Sequence, residues 1–137
     1  MLRFSVYSDS IEALIDGKVD AGMQTLDDAI RSSSEGRNVR VILLTDYSFG
    51  SDGLVARPGI ESLADLPGTR IGVETGTVGH FFPAKNTGSC ELTADDITIV
   101  SIPTWEIQEA MLEGKIDAGV TWEPYLTRTV ETTGGEC

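Results

Sequence analysis

Three short stretches of this 137-residue chain carry the main-chain and side-chain groups best suited to contact a ligand. Gly76, Thr77 and Val78 follow the apolar run "RIGVE" at a strand-to-helix turn, where free main-chain N–H groups can hold a carboxylate, sulfonate or phosphate. In "TWEP", the Trp122 ring can stack on a ligand, and the Glu123 carboxylate can pair with a cation or accept hydrogen bonds.

The third stretch is "MQTLDDAI", in which Thr25 is the candidate contact. Asp27 and Asp28 are predicted to be first-turn helix residues, because carboxylates are favoured at helix N-termini. Every candidate also has a structural interpretation: a turn glycine, a core tryptophan, or an acid favoured by the helix dipole. The sequence leaves these alternatives open.

No motif for covalent chemistry is visible in the sequence. It has no nucleophile elbow, no Walker-type phosphate loop and no metal-ligand spacing of histidine or cysteine. The single histidine, His80, is interpreted as a packed or surface residue. Cys90 and Cys137 either pair in an exported protein or remain two free thiols. The sequence therefore predicts no enzymatic activity, no cofactor and no metal site.

The charge of the chain argues against two classes of partner. There are 22 acidic and 10 basic residues, a formal charge of −12, which repels nucleic acid and anionic membranes. No apolar run approaches the roughly 20 residues of a membrane helix. "MLRFSVYSDS" lacks the pattern of a secretory signal, so the chain either stays in the cytoplasm or has lost its export signal.

Apolar patterns predict strands that alternate with helices along the chain. Strands are expected at "LRFSVY", "VDAGMQT", "VRVILLTDY", "GLVARP", "RIGVET", "DITIVSIP" and "IDAGVTW". Helices are expected at "IEALI", "LDDAI", "IESLADL", "GTVGHFFPAKN", "TWEIQEAMLEGK" and "EPYLTRTV", with Thr104 capping the fifth. This alternation favours parallel sheets built from β-α-β units.

One phrase, E-A-x-x-x-G-K-x-D-A-G, occurs twice. Its second copy lies 97 residues after the first, with Gly114 corresponding to Gly17. Each copy reads as a helix end, a Gly-Lys turn and a short strand, and two copies indicate two similar lobes. Ligands of open parallel sheets bind beyond the carboxyl ends of strands, so "MQT" and "TWEP" are expected to line one cleft between the lobes.

The order of three segments resembles a known family. "GKVDAGMQTLDDAI", "DYSFGSDGLVARPGIESLADLPGTRIGVETGT" and "EGKIDAGVTWEP" resemble the solute-binding proteins of ABC importers, in the branch that binds nitrate, sulfonates, taurine and thiamine precursors. The resemblance spans roughly residues 10–127. It implies an α/β fold of the type II periplasmic-binding-protein kind, with two β-α-β lobes.

The same resemblance implies an organisation and a set of partners. Family members are about twice this length, so the first lobe is expected to be incomplete. The predicted domains are 1–55 for that lobe, 56–123 for the second lobe and 124–137 for the return to the first lobe and a frayed tail. A small-molecule ligand, an ABC permease and a periplasmic or extracellular location are implied. Ser48 and Asp52 are added to the expected ligand contacts, because the resemblance places their loop beside the cleft.

The residues leave rival functions and the ligand class open. Missing elements would expose a sheet edge, which predicts a homo-oligomer such as a dimer formed by element exchange. The chain could be a fragment that folds as an oligomer and binds no solute, or a biosynthetic enzyme on the same fold. Arg57 and Lys85 are the basic residues nearest the proposed cleft in sequence, whereas Glu123, Asp46 and Asp52 suit a zwitterionic, neutral or aminated ligand.

Overall fold

The computed structural model describes residues 2–76 and 94–135. These residues form two compact units. The first contains residues 2–47 together with Gly76, and the second contains residues 48–75 and 94–135. The domain boundaries at 55/56 and 123/124 stay a prediction.

The first unit contains two helices. Helix α1 spans Tyr7–Ile15 and α2 spans Leu26–Ser34, which confirms both helices predicted for this part of the chain. Ile11 and Ala13 on α1 are buried. Gly17 follows α1 with a φ of 69°, a left-handed conformation that favours glycine and ends the helix.

The three strands predicted for the first unit do not form among the described residues. Residues 2–6 lead directly into α1, and neither 19–25 nor 39–47 enters a β ladder. A strand must pair its N–H and C=O groups with a neighbouring strand, and no described segment of this unit offers one. Ile42 and Leu44 accordingly remain 85% and 73% exposed. These predictions were wrong because apolar alternation cannot supply a partner.

The second unit is built on a four-stranded sheet. Its strands are β1 (Asp52–Ala56), β2 (Arg70–Val73), β3 (Thr98–Ser101) and β4 (Ala118–Trp122), in the order β1-β4-β2-β3. Strand β2 runs parallel to β3 and β4, as predicted, but β1 pairs with β4 in the antiparallel direction. The sheet is therefore mixed, which corrects the expectation of a purely parallel one.

Helices α3 (Ile107–Leu112) and α4 (Tyr125–Thr133) complete this unit. Single 3-10 turns occur at Leu63–Asp65, Ala94–Asp96 and Thr104–Glu106. The predicted helix "IESLADL" shrinks to the first of these turns, since Pro67 and Gly68 follow it closely. The predicted helix "GTVGHFFPAKN", with His80 and Lys85, lies outside the described residues, as do Cys90 and Cys137.

Thr104 does not cap α3. Its hydroxyl donates instead to the Glu74 carboxylate at 2.9 Å, and its main-chain N–H donates to the same carboxylate at 3.1 Å. Glu74 is buried directly after β2 and so fixes the chain before α3 to the end of that strand. The predicted cap was wrong because this tertiary partner competes for the threonine hydroxyl.

Glycines allow α3 to approach the sheet closely. Gly72 and Gly119 are directly paired between β2 and β4. A Cβ atom added at Gly72 would lie 2.6 Å from the Cδ1 atom of Ile116, and one added at Gly119 would clash with Ile107. The opposite face of the sheet packs a larger apolar cluster: Ala56, Ile60, Leu66, Ile71, Val73, Ala118 and Val120. The second copy of the repeated phrase thus lies in a packed sheet.

Asp117 of that copy joins two strand ends. Its carboxylate accepts the Arg70 main-chain N–H at 2.9 Å and the Arg70 Nε–H at 3.0 Å, and pairs with Arg57 Nε at 3.1 Å. The hydrogen bond from the Arg70 side chain is the main reason that the pKa of Asp117 lies below its ordinary value. The aspartate therefore fixes where β2 begins relative to β4.

Candidate functional site

A buried polar cluster in the first unit surrounds Asp28, and we call Tyr7, Thr25, Asp28 and Arg31 the Asp28 cluster. Asp28 is only 1% exposed. Tyr7 Oη–H and Thr25 Oγ1–H donate to its Oδ2 atom at 2.7 Å and 2.6 Å. The Thr25 main-chain N–H donates to Tyr7 Oη at 2.9 Å. The cluster thereby ties α1 to the start of α2.

The local sequence explains how α2 presents these groups. Thr25 is the N-cap, and its hydroxyl oxygen also accepts the Asp28 main-chain N–H at 3.3 Å. Asp28 and Arg31 are three residues apart, so they lie on one face of the helix. Asp28 sits in the first turn, as predicted, but the structure also makes it the centre of a polar cluster.

Burial and the Asp28 carboxylate change the chemistry of Tyr7. Removal of the phenol from water is the largest effect, and the hydrogen bond to Asp28 adds to it, which raises the pKa of Tyr7 to about 12. Tyr7 is therefore a stable hydrogen-bond donor at neutral pH. Tyr7 donates to Oδ2 of Asp28, whereas Arg31 pairs with Oδ1, so the two contacts use different oxygens of the carboxylate.

Arg31 connects the cluster to the glycine turn. Its Nη2 atom pairs with Asp28 Oδ1 at 3.3 Å and also donates to the Gly76 carbonyl. Gly76 has a φ of 82°, which a glycine adopts without strain. Thr25 and Gly76, two of the predicted contacts, are thus linked to each other through the hydrogen bonds of Asp28 and Arg31.

Two buried nitrogen donors in this unit have no acceptor within the described ranges. They are Nε of Arg31 and Nε2 of Gln24, which immediately precedes the N-cap Thr25. A buried N–H without an acceptor costs about 1–3 kcal/mol. An oxyanion is the chemical group best matched to a guanidinium N–H and an amide N–H.

The other predicted contacts lie in the second unit, at one end of the β1–β4 pair. We call Ser48, Asp52, Trp122 and Glu123 the β1–β4 rim. Ser48 Oγ–H donates to Asp52 at 2.6 Å, and Asp52 stands opposite Trp122 in the β ladder. Trp122 is half-buried, whereas the other three residues are exposed.

The Glu123 carboxylate accepts hydrogen bonds at the start of α4. Its carboxylate accepts the Thr127 hydroxyl at 2.7 Å and the Thr127 main-chain N–H at 3.3 Å, while its own N–H donates to the Ser51 carbonyl at 2.9 Å. The sequence alternative for Glu123, a first-turn acid, was wrong in position, because Glu123 precedes the N-cap Pro124 and α4 has no acidic residue in its first turn. A ligand contact by Glu123 stays a prediction.

The structure therefore places six of the eight predicted contacts in two groups. Thr25 and Gly76 belong to the first unit, and the β1–β4 rim belongs to the second. Thr77 and Val78 lie outside the described residues. That any of the eight contacts a ligand stays a prediction.

Sequence reasoning missed Gln24 and Arg31. It named Arg57 and Lys85 as the basic residues nearest the site, but Arg57 pairs with Asp117, and Lys85 lies outside the described residues. The D-x-x-R spacing from Asp28 to Arg31 is a signal that could have placed the guanidinium on the cluster face of α2. The contact with Gly76, 45 residues away, had no sequence signal.

The sequence profile of the family described as "NMT1/THI5 like" matches residues 7–133, which is nearly the whole chain. The chain belongs to the NMT1/THI5-like family. This finding confirms the resemblance drawn from the repeated phrase and the crossing segment.

Two curated relatives of this family member are named as binding proteins. A Brucella abortus (strain 2308) protein named "Putative binding protein" is 28% identical over 96 residues, which are 70% of this chain and 30% of that protein. A Bacillus subtilis (strain 168) protein named "Putative aliphatic sulfonates-binding protein" is 29% identical over 128 residues, which are 92% of this chain and 39% of that protein. The chain therefore spans well under half the length of these relatives.

A solved structure shows the fold. The periplasmic aliphatic sulphonate binding protein SsuA from Escherichia coli matches with a TM-score of 0.76 at 20% identity, over 93% of this chain and 45% of that one. This likeness confirms the predicted fold class, that of periplasmic binding proteins, over part of such a protein. These relatives are named as binding proteins, and the solved one is named as periplasmic.

No helix among the described residues could span a membrane. None of them combines the length and the apolar composition that a bilayer crossing requires.

Proposed function

We propose that this family member binds a small organic oxyanion of the sulfonate class as part of a solute-uptake system. The observation that carries the proposal is the pair of buried donors, Arg31 Nε–H and Gln24 Nε2–H, in a protein whose relatives are named as binding proteins. No bond is made or broken in this activity. The protein's task is selective, reversible capture.

The ligand class follows from charge and hydrogen-bond donors. Arg31 offers a fixed fork of N–H donors, which suits a group with several equivalent oxygens. Asp28 pairs with Nη2 of Arg31, and the Nε–H of Arg31 has no acceptor among the described residues, so a ligand oxygen can accept from it. The earlier preference for a zwitterionic or aminated ligand rested on Asp46, Asp52 and Glu123, none of which belongs to the Asp28 cluster.

Partners and location form part of the same proposal. The chain delivers its solute to an ABC permease outside the cytoplasmic membrane, as its family resemblance implies. The periplasmic location named for the E. coli neighbour supports this. Fractionation of the native host tests it, with the protein expected in the periplasmic or extracellular fraction.

A second candidate is self-association without solute binding. The exposed apolar run Val41–Leu44 favours it, because contiguous apolar surface promotes association. Self-association by itself does not exclude solute binding. The solute-binding proposal therefore needs a direct binding experiment.

The test is isothermal titration calorimetry of the chain with ethanesulfonate, butanesulfonate, taurine and nitrate. We expect saturable binding of at least one sulfonate. Arg31→Gln should weaken it by roughly 10- to 100-fold, the equivalent of one hydrogen bond to a charged group. Gln24→Leu should weaken it less, because the lost donor is neutral. Absence of binding across the panel would contradict the proposal.

Matched variants separate ligand contacts from folding effects. Arg37→Gln removes the same charge from an exposed arginine beyond α2 and should leave affinity within about twofold. The double variant Asp28→Asn/Arg31→Gln avoids leaving a buried aspartate without its cation, so it tests whether weak binding by Arg31→Gln reflects misfolding. Trp122→Ala and Glu123→Gln test the two predicted rim contacts in the same titration.

A further inference from the structure

Asp28 is an internal anion held against Arg31, the charged donor of the proposed ligand site. Its Oδ1 atom pairs with Arg31 Nη2 at 3.3 Å. The Asp28 side chain is 1% exposed, whereas that of Arg31 is 28% exposed. An anion that approaches this guanidinium from solvent therefore meets an arginine that already has a buried carboxylate partner.

The position of the Asp28 carboxylate does not depend on Arg31 alone. Its Oδ2 atom accepts the hydroxyls of Tyr7 and Thr25 at 2.7 Å and 2.6 Å, which are shorter contacts than the one to Arg31. Each hydroxyl oxygen accepts a main-chain N–H in turn, Tyr7 from Thr25 at 2.9 Å and Thr25 from Asp28 at 3.3 Å. Both hydroxyl hydrogens are therefore available to the carboxylate, and they keep it beside the guanidinium as an acceptor.

The N–H groups of Arg31 divide between the protein and a ligand. Nη2 donates to Asp28 and to the Gly76 carbonyl, while the buried Nε has no acceptor among the described residues. Asp28 and a ligand oxygen at Nε would thus share one guanidinium through two of its nitrogen atoms. Two anions that share one partly buried cation repel each other, because water and salt screen them only weakly there.

We propose that Asp28 lowers the affinity of the Arg31 site for oxyanions, so that the site holds sulfonyl oxygens by hydrogen bonding more than by net charge. This inference rests on the proposed binding of sulfonates at Arg31 and Gln24. The formal charges of Asp28 and Arg31 cancel, so a bound sulfonate does not form an unopposed ion pair. The lower affinity speeds dissociation, which suits a protein that must deliver its solute.

Calorimetry of Asp28→Asn with butanesulfonate tests the proposal on the full chain. The asparagine amide oxygen can still accept from Tyr7 and Thr25, and the partial exposure of Arg31 lets water solvate its charge. We expect butanesulfonate to bind about tenfold more tightly than to the wild type, because the repulsion between the two anions is removed. An aspartate that only supported the fold would give weaker binding when replaced.

A neutral ligand of similar shape provides a second readout, which also works on the wild type. Butyl methyl sulfone has sulfonyl oxygens but no charge. We expect the wild type to prefer butanesulfonate over this sulfone by less than about tenfold, and Asp28→Asn to raise that preference about tenfold. The ratio compares two ligands on one protein, so a smaller folded fraction does not change it.

Asp9→Asn is the matched control. Asp9 is the third residue of α1, as Asp28 is of α2, but it is exposed. This variant loses the same charge and should bind butanesulfonate within about twofold of the wild type.

The outcomes separate this inference from the proposed function. Unchanged or weaker butanesulfonate binding by folded Asp28→Asn would overturn the inference and leave sulfonate binding intact. A wild-type preference for the sulfonate of about tenfold or more would do the same, and this ratio decides if Asp28→Asn does not fold. If neither the wild type nor Asp28→Asn binds butanesulfonate, the proposed function fails and the inference fails with it.

Discussion

The phenol of Tyr7 reports on the Asp28 cluster. Because burial and Asp28 raise its pKa to about 12, its ionisation should be separable from that of an ordinary tyrosine near 10. We expect the difference in phenolate absorbance between wild type and Tyr7→Phe to titrate near pH 12. A step near pH 10 in a folded sample would contradict the buried hydrogen bond to Asp28.

The raised pKa of Tyr7 also makes the stability of the folded protein depend on pH. A folded-state pKa above the unfolded value favours the folded state fully below pH 10. That contribution is lost as the pH rises from about 10 to about 12, where the folded-state group ionises as well. The stability difference between wild type and Tyr7→Phe should therefore shrink in that range.

Asp117 should show the opposite dependence on pH. Its folded-state pKa is lowered, chiefly by the hydrogen bond from Arg70, so its contribution is present above the ordinary aspartate value of about 4. The contribution is lost as the pH falls through the lowered folded-state value. Urea denaturation should show Asp117→Asn less stable than wild type at pH 7, with the gap closing in acid. A gap independent of pH would contradict the ion pairs.

At the scale of single residues, the sequence predicted local roles better than distant contacts. The position of Asp28 follows from first-turn chemistry alone, whereas Glu123, predicted as a first-turn acid, precedes the N-cap of α4. The bond from Arg31 to Gly76 could not be predicted, because it depends on how a loop 45 residues away folds. Glu74 was missed for the same reason, since its partner Thr104 lies 30 residues away.

At the scale of elements, close packing of α3 on the sheet depends on Gly119. A methyl group there would clash with Ile107, which is fully buried. We expect Gly119→Ala to lower the free energy of unfolding by about 1–3 kcal/mol through overpacking. Gly22→Ala, at the equivalent position of the first copy, should cost much less. Equal costs in thermal or urea denaturation would contradict the different surroundings of the two copies.

The repeated phrase shows how far an element can be predicted from its sequence. "GKIDAGV" leads into β4 because β1 and β2 supply hydrogen-bond partners on both sides. "GKVDAGM" has the same pattern and forms no strand in the described structure. Helices α1 and α2 were predictable because their hydrogen bonds are internal, whereas a strand depends on a neighbour. Strand predictions therefore failed in the first unit and held in the second.

At the scale of the whole molecule, exposed apolar surface predicts self-association. Val41, Ile42, Leu43 and Leu44 are 60–85% exposed and consecutive. We expect sedimentation velocity to show a concentration-dependent oligomer. Ile42→Lys/Leu44→Lys should shift it toward monomer by placing charge on that surface.

A control variant tests whether this surface is specific. Leu112 is an isolated exposed leucine, 57% accessible, at the end of α3. Leu112→Lys should leave the oligomer unchanged. A wild-type chain that stays monomeric across the concentration range would contradict the prediction.

The family and fold class were accessible from the sequence because the order of several weak motifs is specific when they are read together. Whether residues 19–25 and 39–47 form β-strands could not be predicted, since strand formation depends on segments outside those motifs. The ligand class that we propose also rests on the structure. The sequence alone pointed to Arg57, but only the folded chain places Arg31 at Gly76.

The most direct test of the binding proposal follows the Arg31 Nε–Hε resonance during a titration. In a ¹⁵N-labelled sample, the resonance is assigned by its absence from Arg31→Gln, and butanesulfonate is then added. We predict a saturable shift of this resonance at the affinity found by calorimetry, while the Arg37 resonance stays in place. Saturable sulfonate binding that leaves the Arg31 resonance unmoved, or no binding at all, would contradict the proposed site.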